Sequence, residues 1–133
     1  MAYELCMFCR VDPAEVRVFG ETVCSSLART RDGVEYRQVS LSTESSEYEI
    51  RDIQTGEIVE VSFYWSGQFF DHQIAVASGE PGGDAVKGCN CIVDLVLVGN
   101  VPWSIISAIW EIVSVHYSGV LYDEISGFDA SIG

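Results

Sequence analysis

The chain has 133 residues, 48% of them hydrophobic, and its 20 acidic side chains outnumber seven basic ones for a net charge of −13. That length and apolar share predict a single domain, residues 1–133, with its own core, and exclude a disordered chain. The charge argues against a nucleic-acid or anionic-membrane surface, since such a field repels both, and it would speed encounter with a basic partner.

Residues 2–10, AYELCMFCR, are rich in apolar and aromatic types and predict a first strand. In the following DPAEVRVFGETVCSSLARTRDG, Asp12 suits an N-cap, Pro13 the first helical position and Glu15 a capping box. Val16, Phe19, Val23 and Leu27 recur at spacings of three and four, the stripe of an amphipathic helix. The β-branched VRV and Gly20 work against that helix. Arg29 and Arg31 suit its C-terminal dipole and Gly33 its end.

The middle of the chain reads as strands. GVEYRQVSLST alternates imperfectly, and EYEIRDIQTGEIVEVSFYW predicts a hairpin turning at Thr55–Gly56. On its second arm Val59, Val61, Phe63 and Trp65 share one face, and Glu60, Ser62 and Tyr64 the other. DHQIAVAS at 71–78 reads as a further short strand, and the glycine-rich GEPGGDAVKG at 79–88 as a mobile loop. CNCIVDLVLVG then predicts a buried strand. Pro102 opens a helix with Ile105, Ile109, Ile112 and Val113 on one side, Gly119 closes it, and VLYDEIS returns as an edge strand. Residues 92–115 have the length of a membrane span, but Asp94, Asn100, Pro102 and Glu111 interrupt them and no Lys or Arg flanks them. The expected fold is α+β: an antiparallel sheet of five to seven strands with two helices on one face, a ferredoxin-like core enlarged by a hairpin.

Five cysteines invite a metal reading through C-x2-C at Cys6–Cys9 and C-x-C at Cys89–Cys91. Positions three apart on a strand point to opposite faces, whereas Cys89 and Cys91 are expected to share one, so buried free thiols are favoured over zinc. The odd cysteine count, and a start lacking the basic and long apolar stretches of a signal peptide, lead to the expectation of a reducing cytoplasm. His72 and His116 have no assignable nucleophile, and G-x-G-x-x-G, P-loop, H-E-x-x-H and G-x-S-x-G are all missing, so no cofactor and no enzymatic reaction are expected. Chance carboxylate pairs such as Asp123–Glu124 are unavoidable among 20 acids.

What remains is a surface. FYWSGQFFDHQ sets Tyr64, Trp65, Phe69 and Phe70 around a Ser66–Gly67 turn, with Glu44, Glu47, Glu49, Glu60, Asp71, Glu80 and Asp84 as an acidic rim. Aromatics ringed by charge suit a protein contact, although they equally suit the closure of a core. The last segment, HYSGVLYDEISGF, resembles the tail of small bacterial immunity proteins, in which a helix runs into a short strand. That resemblance implies a toxin partner and no catalysis, and it assigns no binding residues. The expected function is therefore a non-enzymatic acidic protein that neutralises a basic toxin domain. A nucleic-acid-mimicking anti-defence inhibitor, and a small-ligand domain or enzyme with a site between sheet and helices, stand as alternatives. Asp94 is expected on an open sheet face, alongside Ile92, Val96 and Val98.

Overall fold

The computed structural model describes residues 2–132. The first strand, β1 (Ala2–Cys9), leads into a 3-10 turn at Pro13–Val18 and then the helix α1 (Phe19–Thr30). The expected single helix therefore begins with a tighter turn. The Asp12 carboxylate accepts from the Ala14 amide at 3.1 Å, as an N-cap should, but the β-branched pair Val16 and Val18 falls in the 3-10 segment. Regular α-helix starts at Phe19, and Phe19, Val23, Cys24 and Leu27 are buried on one side of it.

Three strands follow: β2 (Val34–Leu41), β3 (Ser45–Asp52) and β4 (Ile58–Tyr64). The β3–β4 turn lies where the sequence places it, and the Asp52 carboxylate fastens it by accepting from the Gln54 amide at 2.9 Å. Val59, Val61 and Phe63 point inward and Glu60, Ser62 and Tyr64 the other way, as alternation requires.

The expected strand at 71–78 is instead part of the helix α2 (Gly67–Ser78). His72, Ile74 and Val76 mimic alternation, yet Phe70, Gln73, Ile74 and Ala77 stand at helical spacing and form its inner face. The following glycine-rich stretch is not a free loop. It winds into a 3-10 turn at Gly83–Val86 with Gly83 and Val86 buried. A side chain at Gly83 would lie 2.4 Å from the Ser78 carbonyl, so the turn needs glycine to fold back on α2.

The strand β5 (Cys91–Val98), the helix α3 (Trp103–His116) and the strand β6 (Val120–Asp123) complete the chain. The sheet is antiparallel throughout, in the order β2-β3-β4-β5-β1-β6. Setting aside the β2–β3 hairpin and α2, the remaining strands run β6-β1-β5-β4, with α1 leaving β1 and α3 joining β5 to β6. That is the split arrangement of a ferredoxin-like core, enlarged by one hairpin.

Helices α1 and α3 cover one face with Phe19, Val23, Leu27, Ile105, Ile106 and Ile109 against Leu5, Met7, Ile50, Val61, Phe63 and Val93. Helix α2 covers only part of the other face. There Phe70, Ile74 and Ala77 enclose Cys6, Phe8, Ile92 and Tyr122 in a second, smaller core. Among the described residues, no helix is long and apolar enough to cross a membrane.

Candidate functional site

The part of the second face that α2 leaves uncovered is built by alternation on five strands. Strand β2 contributes Glu35 and Arg37, β3 contributes Glu47, Glu49 and Arg51, and β4 contributes Ile58, Glu60 and Ser62. Strand β5 adds Asp94, Val96 and Val98, and β1 adds Glu4. Directly opposed pairs set the pattern across the face: Arg37 with Glu49, Glu49 with Glu60, Glu47 with Ser62, Ser62 with Asp94, and Glu4 with Val96. Five carboxyl groups thus share the surface with two guanidiniums, and a sixth, that of Asp94, is buried at its edge.

Both arginines are spent on one acid. Arg37 Nε lies 3.2 Å and Arg51 Nη2 3.8 Å from Glu49 Oε1. The hydrogen bond from Arg37 holds the Glu49 carboxyl below its ordinary range. Among the described residues Glu47 and Glu60 stand in no ion pair, so their charge is available to a partner. Between the acids lie exposed apolar side chains: Val96 is 52% and Val98 65% exposed, with Ile58 beside them. A shallow cleft runs over the face, lined by Arg37, Val39, Glu47, Glu60, Asp94 and Val96 among others.

Asp94 departs from its expected setting. It lies on the expected face, but only 6% of it is exposed, which contradicts the open-face reading. It sits where the cover of α2 ends, directly opposite Cys6 on β1. Its donor is neither an arginine nor an amide. The Cys6 thiol donates to Asp94 Oδ1 at 3.4 Å. Burial, reinforced by the neighbouring Glu4, pushes the Asp94 carboxyl up to about 7. The same surroundings push the Cys6 thiol well above its usual range, burial first and the Asp94 charge second.

The other site residues expected from the sequence divide into several places. Glu47, Glu49 and Glu60 come together on the uncovered face, and Tyr64 lies at its margin, its ring 4.2 Å from that of Phe69. Phe70 packs into the second core. The Trp65 indole donates to the Thr43 carbonyl at 2.9 Å and ties α2 to the β2–β3 connection, where the Glu44 carboxylate lies against Gly67. Asp71 is exposed on α2. Glu80 and Asp84 lie beyond that helix, and Asp84 is paired with Lys87 at 2.8 Å. The aromatic run is thus chiefly a closure for α2, and the acids of β3 and β4 form the surface. Glu4, Arg37 and Arg51 were missed. Glu4 alternates with Cys6 and Phe8, a pattern visible in the sequence, but the register that puts it beside Asp94 is not.

The cysteines do not converge. Cys9 and Cys91 are opposed across β1 and β5 on the α1–α3 side, whereas Cys6 and Cys89 belong to the α2 side. Cys89 does not share a face with Cys91 as expected, because β5 begins only at Cys91 and Cys89 still belongs to the preceding turn. Both histidines are exposed, His72 on α2 and His116 at the end of α3. No family model, curated protein or solved structure matches the chain.

Proposed function

We propose that this chain is a non-enzymatic binding protein whose uncovered sheet face docks a basic protein partner. The observation that carries the reading is the composition of that face: an apolar strip at Ile58, Val96 and Val98, flanked by the carboxylates of Glu47 and Glu60, which stand in no ion pair among the described residues. Apolar centres with charged rims are how protein interfaces are built. The acid excess gives electrostatic steering toward a cationic partner. The protonated state of the buried Cys6, Cys9 and Cys24 thiols supports binding rather than nucleophilic chemistry.

Within that class, the particular reading is an immunity protein that neutralises a bacterial toxin. It rests on the charge and on the likeness of HYSGVLYDEISGF to the tails of such proteins, here the end of α3 running through Gly119 into β6. A phosphate mimic needs unbroken rows of carboxylates. Arg37, Ser62 and Val96 break the rows on this face, which favours protein docking over mimicry. The test is co-purification with the product of the neighbouring gene, together with survival of cells expressing that product. Stable association and protection are expected, and their joint absence would overturn the reading.

A further inference from the structure

We propose that Glu4, Cys6 and Asp94, closed over by Gln73, form a binding site for a thiophilic divalent cation of the zinc class. The proposal stands independently of the docking face. The three residues come from two adjacent strands: Cys6 faces Asp94 directly, and Glu4 lies two positions along β1 on the same side. One ligand atom from each lies within 4.8 Å of the others, and Cys6 Sγ is already 3.4 Å from Asp94 Oδ1. A tetrahedral ion with bonds of about 2.0–2.3 Å holds its ligands roughly 3.3–3.8 Å apart. Small side-chain rotations therefore close the site, and the strands need not move.

An independent observation comes from the other side of the cluster. Gln73 reaches in from α2 and is only 7% exposed, yet among the described residues its amide makes no hydrogen bond to nitrogen or oxygen. Its Oε1 accepts a long hydrogen bond from Cys6 Sγ at 4.0 Å. A bound ion that displaces the thiol proton would leave this oxygen on hand as a fourth donor. Asp94 poses the same question, since it is buried with neither a cationic nor a backbone N–H partner. Burial of an acid beside a second acid is costly unless a proton or a cation neutralises it.

The donor set selects the cation. A thiolate with two carboxylates suits zinc or cobalt, whereas magnesium and calcium prefer all-oxygen shells with more ligands. On binding, the Cys6 thiol and any protonated carboxyl release their protons to solvent, and the sulfur electron pair forms the metal bond. Glu4 is partly exposed, so the ion has a path in from the uncovered face.

The experiment is titration of chelator-treated full-length protein with cobalt(II), read by absorbance, with zinc competition. One equivalent should bind, give a sulfur-to-cobalt charge-transfer band, and be displaced by zinc but not by excess magnesium or calcium. The band should vanish in Cys6→Ser and persist in Cys24→Ser, whose thiol lies on the buried side of α1, in the core of the opposite sheet face. Asp94→Asn and Glu4→Gln should each weaken binding at least tenfold. No stoichiometric band, or a band that survives Cys6→Ser, would overturn the site. Should Cys6→Ser lose its near-ultraviolet circular dichroism, the carboxylate variants decide, and wild-type affinity in both would equally overturn it.

Discussion

Asp94 and Asp123 are both buried acids on strands, and their surroundings treat them in opposite ways. Asp123, at the end of β6, accepts from the Tyr3 hydroxyl at 2.5 Å and from the Ile125 and Ser126 amides at 2.8 and 2.5 Å. Burial by itself would raise its pKa, but these donors outweigh it and the carboxyl is held below its ordinary range. It therefore stabilises the fold above the unfolded pKa, and that contribution is lost as pH falls through the folded one. Asp123→Ala should lower stability by about 2–4 kcal/mol, since it strands donors to a charged acceptor, measured by urea unfolding at pH 7. A loss under about 0.5 kcal/mol would contradict that role.

Asp94 has the reverse sign. In the metal-free protein its folded pKa of about 7 lies above its ordinary value of 3.8. Between those limits the native state holds a proton that the unfolded chain has released, so stability falls as pH rises. The ceiling on that penalty is about 4 kcal/mol, taking about 1.4 kcal/mol per unit. Asp94→Asn should therefore be more stable than wild type at pH 8 by roughly 1–3 kcal/mol, with the gap closing near pH 4. Unfolding curves with chelator present check this, and a pH-independent difference would contradict it. The acid itself is visible in CIVDLVLV. That it lies opposite Cys6 depends on a register between strands more than 80 residues apart, which alternation along one strand cannot reveal.

At the scale of elements, Gly20 shows how a correct propensity can mislead. In the sequence it weakens a helix, because glycine costs about 1 kcal/mol against alanine at an interior position. In the fold it lets α1 press onto the sheet. A Cβ there would stand 2.5 Å from Tyr48 Cε1 and 2.8 Å from Phe63 Cδ1. Gly20→Ala should thus destabilise by about 1–3 kcal/mol despite the better helix former, because overpacking outweighs propensity. Thermal unfolding checks this, and a stabilised variant would show that α1 can shift without cost. The hairpin β3–β4 and the helix α3 were legible because their apolar periods are clean and their ends carry turn residues. The helix α2 was not, because its short run of Ile74, Val76 and flanking polar residues satisfies both periods. Only its contacts with Phe8, Ile92 and Tyr122 decide between them.

At the scale of the molecule, the asymmetry of cover is what gives this sheet a free surface. Two helices close one face and a single 12-residue helix closes part of the other. The sequence indicated the acid excess and the α+β class. It did not indicate that Glu47, Glu49 and Glu60 would lie beside Val96 and Val98 while the aromatic run turned inward to hold α2. The central claim is that this uncovered face binds a basic protein. Its most direct test is the affinity of the neighbouring gene's product for wild type and for the triple variant Glu47→Gln, Glu60→Gln, Val96→Asp, by calorimetry across a range of salt. Wild type should bind with an affinity that falls as salt rises, and the triple variant should bind at least a hundredfold more weakly while remaining folded. Equal affinity of the two proteins would place the interface elsewhere and contradict the account.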